Sequence, residues 1–351
     1  MRIAIAPYIL KFHQPAVTSR SVMLEKPTVF IKIFDEGNPD MYGIGEAAVF
    51  PGLSPEANED LPMKYLQLAA NIALGVPTDL SRHSSIQFGL EQAILDYSNN
   101  CKGIYYPSPF TEGKESITIN GLVWMGSYNE MRARIKEKLD KGFSCIKLKI
   151  GAIKWDEELE LIRSIRKDFS AEEITLRLDA NGAFSPSDAL EKLKQLSDYH
   201  IHSIEQPIKQ KQYEAMARLC EETPIPIALD EELIGLAGDE REKMLDAIHP
   251  QYIILKPALC GGLSGAEQWI AMSKQRGIGW WVTSALESNV GLTAIAQWTG
   301  TLGVTSPQGL GTGALYSNNS PSRLSLKGDQ LSFDASMAYD RRFFETLDWR
   351  Y

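Results

Sequence analysis

At 351 residues, 44% of them hydrophobic, with 7 Trp, 13 Tyr and 12 Phe, the chain suits one large domain or two around a substantial core. A net charge of −9 and a pI near 5.2, with no basic stripe, argue against a nucleic-acid partner. Four scattered cysteines without a CxxC pair exclude a disulfide framework or a cysteine zinc site; no apolar run nears the ~20 residues of a membrane span, so a cytoplasmic protein without a membrane partner is expected.

MRIAIAPYIL carries one positive charge and is followed at once by polar KFHQ, so it reads as a strand and not a signal peptide. PTVFIKIFDEG reads as a second strand, turning through GNPD into MYGIGEAAVF, and SIQFGLEQAILDYSNN is amphipathic. PSPFTEGKES, Pro107 to Ser116, has the composition of a linker. Beyond it, short apolar runs alternate with helical segments, from ITINGLVWM and SYNEMRARIKEKLDKG through CIKLKIG, ITLRLDANG, IHSIEQPI, IPIALDEEL and YIILKPALCGG to IGWWVTSALESN. Seven or eight such units in about 200 residues favour a closed parallel β/α barrel over an open sheet. From about Leu315 to Tyr351 the alternation stops, and this segment is expected to pack back on the first domain.

A barrel demands catalytic groups at the carboxyl ends of strands, one βα unit apart. Lys149, Asp179, Glu205, Asp230 and Lys256 each close an apolar run, separated by 30, 26, 25 and 26 residues. Strand parity puts Lys147 on the face of Lys149, and Arg177 and Asn181 on the face of Asp179. Three carboxylates at one mouth repel: at ~5 Å and a dielectric of ~20 each pair costs about 3 kcal/mol, roughly 10 for three, comparable to a domain's stability. A divalent cation on Asp179, Glu205 and Asp230 relieves this, and an all-oxygen set suits Mg²⁺, or Mn²⁺, better than Zn²⁺. Lys147 and Lys149 then reach in from one side and Lys256 from the opposite side; an ammonium beside another has a depressed pKa, and a neutral amine can take a proton. GIGEAA and GLGTGA only loosely echo a dinucleotide fingerprint, and GLGTG reads better as the last barrel loop. His202 falls on the opposite parity from Glu205 and is expected to face the helices; Cys145 and Cys260 read as small buried hydrophobes.

KLK, DAN, IEQP, LDEE and LKP, in that order, resemble the motifs of the enolase superfamily, muconate-lactonizing subgroup, and the resemblance spans essentially the whole chain. A lysine base with Mg²⁺ is the established chemistry of such sites and is not deduced from this sequence. The resemblance implies an α/β protein: an N-terminal α+β capping domain over residues 1–113, a modified TIM barrel, (β/α)7β, over 114–315, and a segment 316–351 that returns to the cap. It implies Lys149 as base, Lys256 and Lys147 as its partners, and Asn181 and Glu231 in support of the metal ligands. YGIGEAAVFPGLSPE and TSALESNVG, Thr283 to Gly291, are similar to patterns of the o-succinylbenzoate synthase family of menaquinone biosynthesis. That likeness implies syn dehydration of 2-succinyl-6-hydroxy-2,4-cyclohexadiene-1-carboxylate through an enediolate, with Ser284, Glu287 and Ser288 at the substrate and the loop from Val17 to Met23 closing over it. Epimerisation or racemisation of dipeptides or N-acylamino acids is the alternative, with muconate-type cycloisomerisation behind it; dipeptide epimerases carry an Asp-x-Asp pair where this chain reads SPQGLGTG, without an acid. The expected partner is a small carboxylate, and monomer and homo-oligomer both stand.

Overall fold

The computed structural model describes residues 1–17, 22–58 and 61–351. Three antiparallel strands, β1 (Arg2–Val17), β2 (Val22–Asp35) and β3 (Asn38–Ala47), pair in the order β1-β2-β3. Both faces of this sheet are covered, and the alternation of β2 divides between them. Val29, Ile31 and Ile33 pack with Ile86 and Leu90 of α2 (Ser84–Ser98), beside α1 (Leu61–Ala73). Phe30 and Ile44 face the opposite way, toward Phe343 and Phe344 near the C terminus. The expected lid segment from Val17 to Met23 has its centre, 18–21, outside the described residues.

GIGEAA lies in β3, and its glycines serve close packing. A Cβ on Gly45 would overlap the carbonyl oxygen of Gly89 and lie 2.9 Å from the Ala93 nitrogen, both backbone atoms of α2. No side chain can yield there, so Gly45→Ala must push the helix off the sheet. The expected result is a loss of about 3 kcal/mol, read as a lowered urea midpoint; an unchanged midpoint would show that the helix moves freely.

The barrel follows. Its strands are β5 (Gly121–Val123), β6 (Cys145–Lys149), β7 (Thr175–Asp179), β8 (Ser203–Glu205), β9 (Ile227–Leu229), β10 (Tyr252–Leu255) and β11 (Gly279–Val282), a seven-stranded parallel sheet in sequential order. Helices α3 (Tyr128–Asp140), α4 (Trp155–Asp168), α5 (Ala189–Ser197), α6 (Tyr213–Glu222), α7 (Asp239–Ile248), α8 (Gly262–Gln275) and α9 (Asn289–Thr299) follow the seven strands in turn. Gln308 and Gly309 complete the ring, bridging in parallel to Ile119 on one side and Thr283 on the other. Every residue of β6 is buried, because Ile146 and Leu148 meet the helix layer while Lys147 and Lys149 point into the closed barrel.

The barrel floor is Ala228, Ile254 and Trp281, with the Arg177 guanidinium 4.1 Å from the Trp281 ring and donating to the Pro307 carbonyl at 2.7 Å. His202 departs from expectation: it stacks against Tyr252 at 5.3 Å and lies near Trp281, at the barrel's amino end and not among the helices. Its parity could not be read, because β8 begins one residue later, at Ser203. The four cysteines are free and buried, and burial pushes the Cys260 thiol up to about 12.

After the barrel, β12 (Leu324–Lys327) and β13 (Gln330–Phe333) form a hairpin that pairs with β4 (Ser116–Thr118), at the barrel's entry. The chain then crosses to the first sheet. Tyr8 and Phe30 meet the Phe343 ring of α10 (Arg342–Glu345), Trp349 stands 4.9 Å from the Lys32 ammonium, and Arg350 bridges to Ile5. No described helix is long and apolar enough to cross a membrane.

Candidate active site

At the carboxyl ends of the barrel strands a cavity of about 430 Å³ opens beneath Phe50 and Leu53 of the N-terminal region. Strand register sets its chemistry: Lys149 is level with Asp179, and Asp179 with Glu205. Lys147 Nζ lies 2.6 Å from Glu205 Oε2 and 2.9 Å from Asp179 Oδ2; Lys149 Nζ donates to Asp179 Oδ2 at 2.8 Å and to Asn181 Oδ1 at 2.7 Å. Lys256 Nζ donates to Asp230 Oδ2 in a short contact. The residues proposed from spacing therefore meet at one mouth, all nearly excluded from bulk water.

Burial works against every charge here, and whether ion pairing outweighs it differs from group to group. For Asp179 burial is opposed by the two lysines, which hold its carboxyl well below the usual range. Burial and Asp179 push Glu205 up to about 8, with Lys147 pulling the other way. Lys147 does not have the depressed pKa expected of an ammonium beside another: burial lowers it, but Asp179 and Glu205 outweigh burial and raise it. The expectation weighed a nearby cation and the neighbouring ammonium, and not the carboxylates on the next two strands, which stand 2.9 and 2.6 Å from Lys147 Nζ.

Among the described residues no group of three or more acidic, histidine or cysteine side chains stands in a ligating array, and the ammonium groups lie on the carboxylates. The donor set still fits a hard cation. Glu205 Oε1 is buried without a hydrogen-bond partner, a carboxylate oxygen directed at no donor. The Asn181 amide donates to Glu231 Oε1 at 3.2 Å while its oxygen receives Lys149, which places both residues beside the carboxylates.

The three residues expected at the substrate separate. Ser284 lines the cavity, whereas Glu287 and Ser288 are fully buried behind its wall. Glu287 accepts from the Ala285 amide at 2.9 Å and from Ser284 Oγ, which leaves it no free face. Ser288 belongs to the N-terminal region's grip on the barrel. Glu46 accepts from Thr28 Oγ1 at 2.8 Å, Ser288 N at 2.9 Å, Ser288 Oγ at 2.6 Å and Gly291 N at 2.9 Å, at the amino end of α9 where the helix dipole favours an anion. The two stretches that resemble one family in sequence thus bond to each other in space. Glu46→Gln presents an NH₂ to donors and should cost about 3 kcal/mol, seen as a lower Tm; equal melting would show the bonds to be dispensable.

Asn120 and Trp124 were missed, though both line the cavity. They share the inward parity of Leu122, which pairs with Lys147, so alternation along ITINGLVWM held the signal. Lys26 was missed without any signal: it is fully buried, and burial lowers its pKa against the pull of Glu46 and Glu287.

Residues 130–322 match the model of the enolase C-terminal domain-like family. Across 92% of this chain and 96% of the relative, the sequence is 45% identical to the o-succinylbenzoate synthase of Desulfotalea psychrophila. The crystal structure of MenC from Desulfotalea psychrophila superposes with a TM-score of 0.81 at 42% identity, covering 95% of this chain and 99% of that one. A dipeptide epimerase from Cytophaga hutchinsonii, complexed with Mg and D-Ala-L-Val, gives a TM-score of 0.80 at 21% identity, covering 99% and 98%, a likeness of fold.

Proposed function

The chain belongs to the enolase C-terminal domain-like family, and from that premise we propose that it acts as an o-succinylbenzoate synthase, a carbon–oxygen lyase of menaquinone biosynthesis. The reaction removes the proton α to the carboxylate of 2-succinyl-6-hydroxy-2,4-cyclohexadiene-1-carboxylate and expels the 6-hydroxyl from the same face, leaving 2-succinylbenzoate and water. The observation that carries the reading is the 45% identity over nearly the full length, joined to an intact set of lysines and carboxylates at the barrel mouth.

Lys149 is the base. Its Nζ is fixed by Asp179 and Asn181 and lies 5.9 Å from the Trp124 ring, at the edge of the cavity where a substrate carbon can approach. The proton it takes is the one it can return to the departing hydroxyl, which makes a syn elimination economical in groups. Lys256 enters the same cavity paired to Asp230, and its charge stabilises the enediolate and then the aromatic ring. Asp179, Glu205 and Asp230 would hold Mg²⁺, or Mn²⁺, which would supply positive charge beside the substrate carboxylate as its α-proton leaves. Lys149, Asp179, Glu205 and Asp230 are buried and Lys256 is nearly so, which limits competing water at the reacting carbon.

The deciding assay follows the absorbance of the cyclohexadiene substrate with and without Mg²⁺, with a dipeptide panel as control. Mg²⁺-dependent loss of the diene is expected. Solvent deuterium entering a dipeptide α-carbon with inversion, and an unchanged diene, would replace the reading by epimerisation.

A further inference from the structure

We propose that Leu286 determines the specificity of this pocket: it is an apolar wall, held in a left-handed backbone conformation, on which the flat hydrocarbon ring of the substrate rests. Leu286 has φ +60°, a region that branched and bulky residues seldom enter because Cβ crowds the following carbonyl. Glycine would take this conformation freely, so the presence of leucine needs a reason in its side chain. Strain of this kind persists only where the surroundings over-determine the backbone, and such positions gather at functional sites.

The surroundings do over-determine it. The Leu286 amide donates to Ser284 Oγ at 2.9 Å, and its carbonyl accepts from Tyr316 OH at 2.6 Å. Ser284 Oγ is itself fixed, accepting from Thr312 Oγ1 at 2.8 Å and donating to Glu287. Two residues on, Ser288 is clamped by Glu46. The side chain so placed is 6% exposed, joins one apolar cluster with Phe50 and Trp124, and lines the same cavity as Lys149 and Lys256.

The hydroxyls of this wall are used internally: Thr283 donates to the Gly309 carbonyl at 2.9 Å, and Ser284 to Glu287. What the wall offers is therefore hydrocarbon, facing the ammonium groups across the cavity. That pairing suits a carbocyclic carboxylate. This inference rests on the dehydratase reading and adds the residue that selects the ring.

Three variants test it with the Mg²⁺-loaded enzyme. Leu286→Ala removes the wall and keeps the strain, Leu286→Gly removes both, and Leu286→Asn keeps the γ-branched shape but replaces the two methyl groups by a polar amide, in a residue that tolerates φ > 0. All three should raise KM for the cyclohexadiene about tenfold, with kcat changed less than about threefold, as expected for a lost apolar contact. The glycine variant should melt about 2 °C above the alanine variant, reversing the usual order of these residues. Unchanged KM in the alanine and asparagine variants, or a glycine variant melting below alanine, overturns the inference while the wild type still dehydrates the diene. A wild type inert on the diene overturns the dehydratase reading itself, and the assignment of the ring to Leu286 falls with it.

Discussion

Lys149→Ala should lower kcat by about 10⁴-fold, the upper range for loss of a positioned base, while the fold and Mg²⁺ binding survive. Survival follows from the local bonding. Asp179 keeps Lys147 at 2.9 Å when Lys149 is gone, so no buried carboxylate is stranded. Lys149→Arg separates base from charge: a guanidinium keeps the positive charge but does not give up its proton, so it should be as inactive as alanine. Steady-state kinetics with calorimetric Mg²⁺ titration of each variant is the measurement. Substantial turnover by either variant would move the proton transfer to another group, with Lys256 the first to examine.

Asp179→Ala should abolish both turnover and Mg²⁺ binding, and here the fold should suffer as well. Asp179 is the shared acceptor of Lys147 and Lys149; without it Lys147 keeps Glu205 at 2.6 Å, but Lys149 keeps only the Asn181 oxygen, an ammonium with no carboxylate in a nearly buried position. Breaking a buried pair in this way costs about 3–5 kcal/mol. The diagnostic is a thermal melt with and without Mg²⁺. A ligand that binds only the native state raises Tm, by about 2.7 kcal/mol of added stability at a hundred times its Kd. The wild type should show the rise, and Asp179→Ala, already melting lower, should show none. A Mg²⁺-dependent rise that persists in the variant would remove Asp179 from the metal site, whatever happens to activity.

Legibility differed sharply between the barrel mouth and the groups around it. Lys149, Asp179, Glu205, Asp230 and Lys256 could be placed because a parallel barrel converts chain spacing into spatial neighbourhood: each βα unit returns the chain to the same rim, where Lys149, Asp179 and Glu205 end their strands and Asp230 and Lys256 stand one residue beyond theirs. Trp124 and Asn120 were open to a second rule, alternation, since they share the inward parity of Leu122. Glu287 and Ser288 show where the rule stops. They lie beyond β11, at the loop into α9, where strand alternation no longer governs direction, and their side chains turn to Ala285 and to Glu46. His202 failed for the same reason, standing one residue before its strand.

Alternation, helix periodicity and the recurrence of charged strand ends are local properties of the chain, and from them alone follow the parallel barrel, the N-terminal α+β region and the residues at the mouth. What only the folded molecule decided is long-range: Glu46 closing on Ser288 across the boundary between sheet and barrel, Gly45 admitting the backbone of α2, Leu286 bent to φ +60° to become pocket wall, and Lys147 governed by carboxylates on other strands. Each of these is set by contact between segments with no shared period, and by the exclusion of water that only closure brings. A charge's neighbours and its solvent are properties of the packed structure, so its chemistry could be located in the chain but not weighed there.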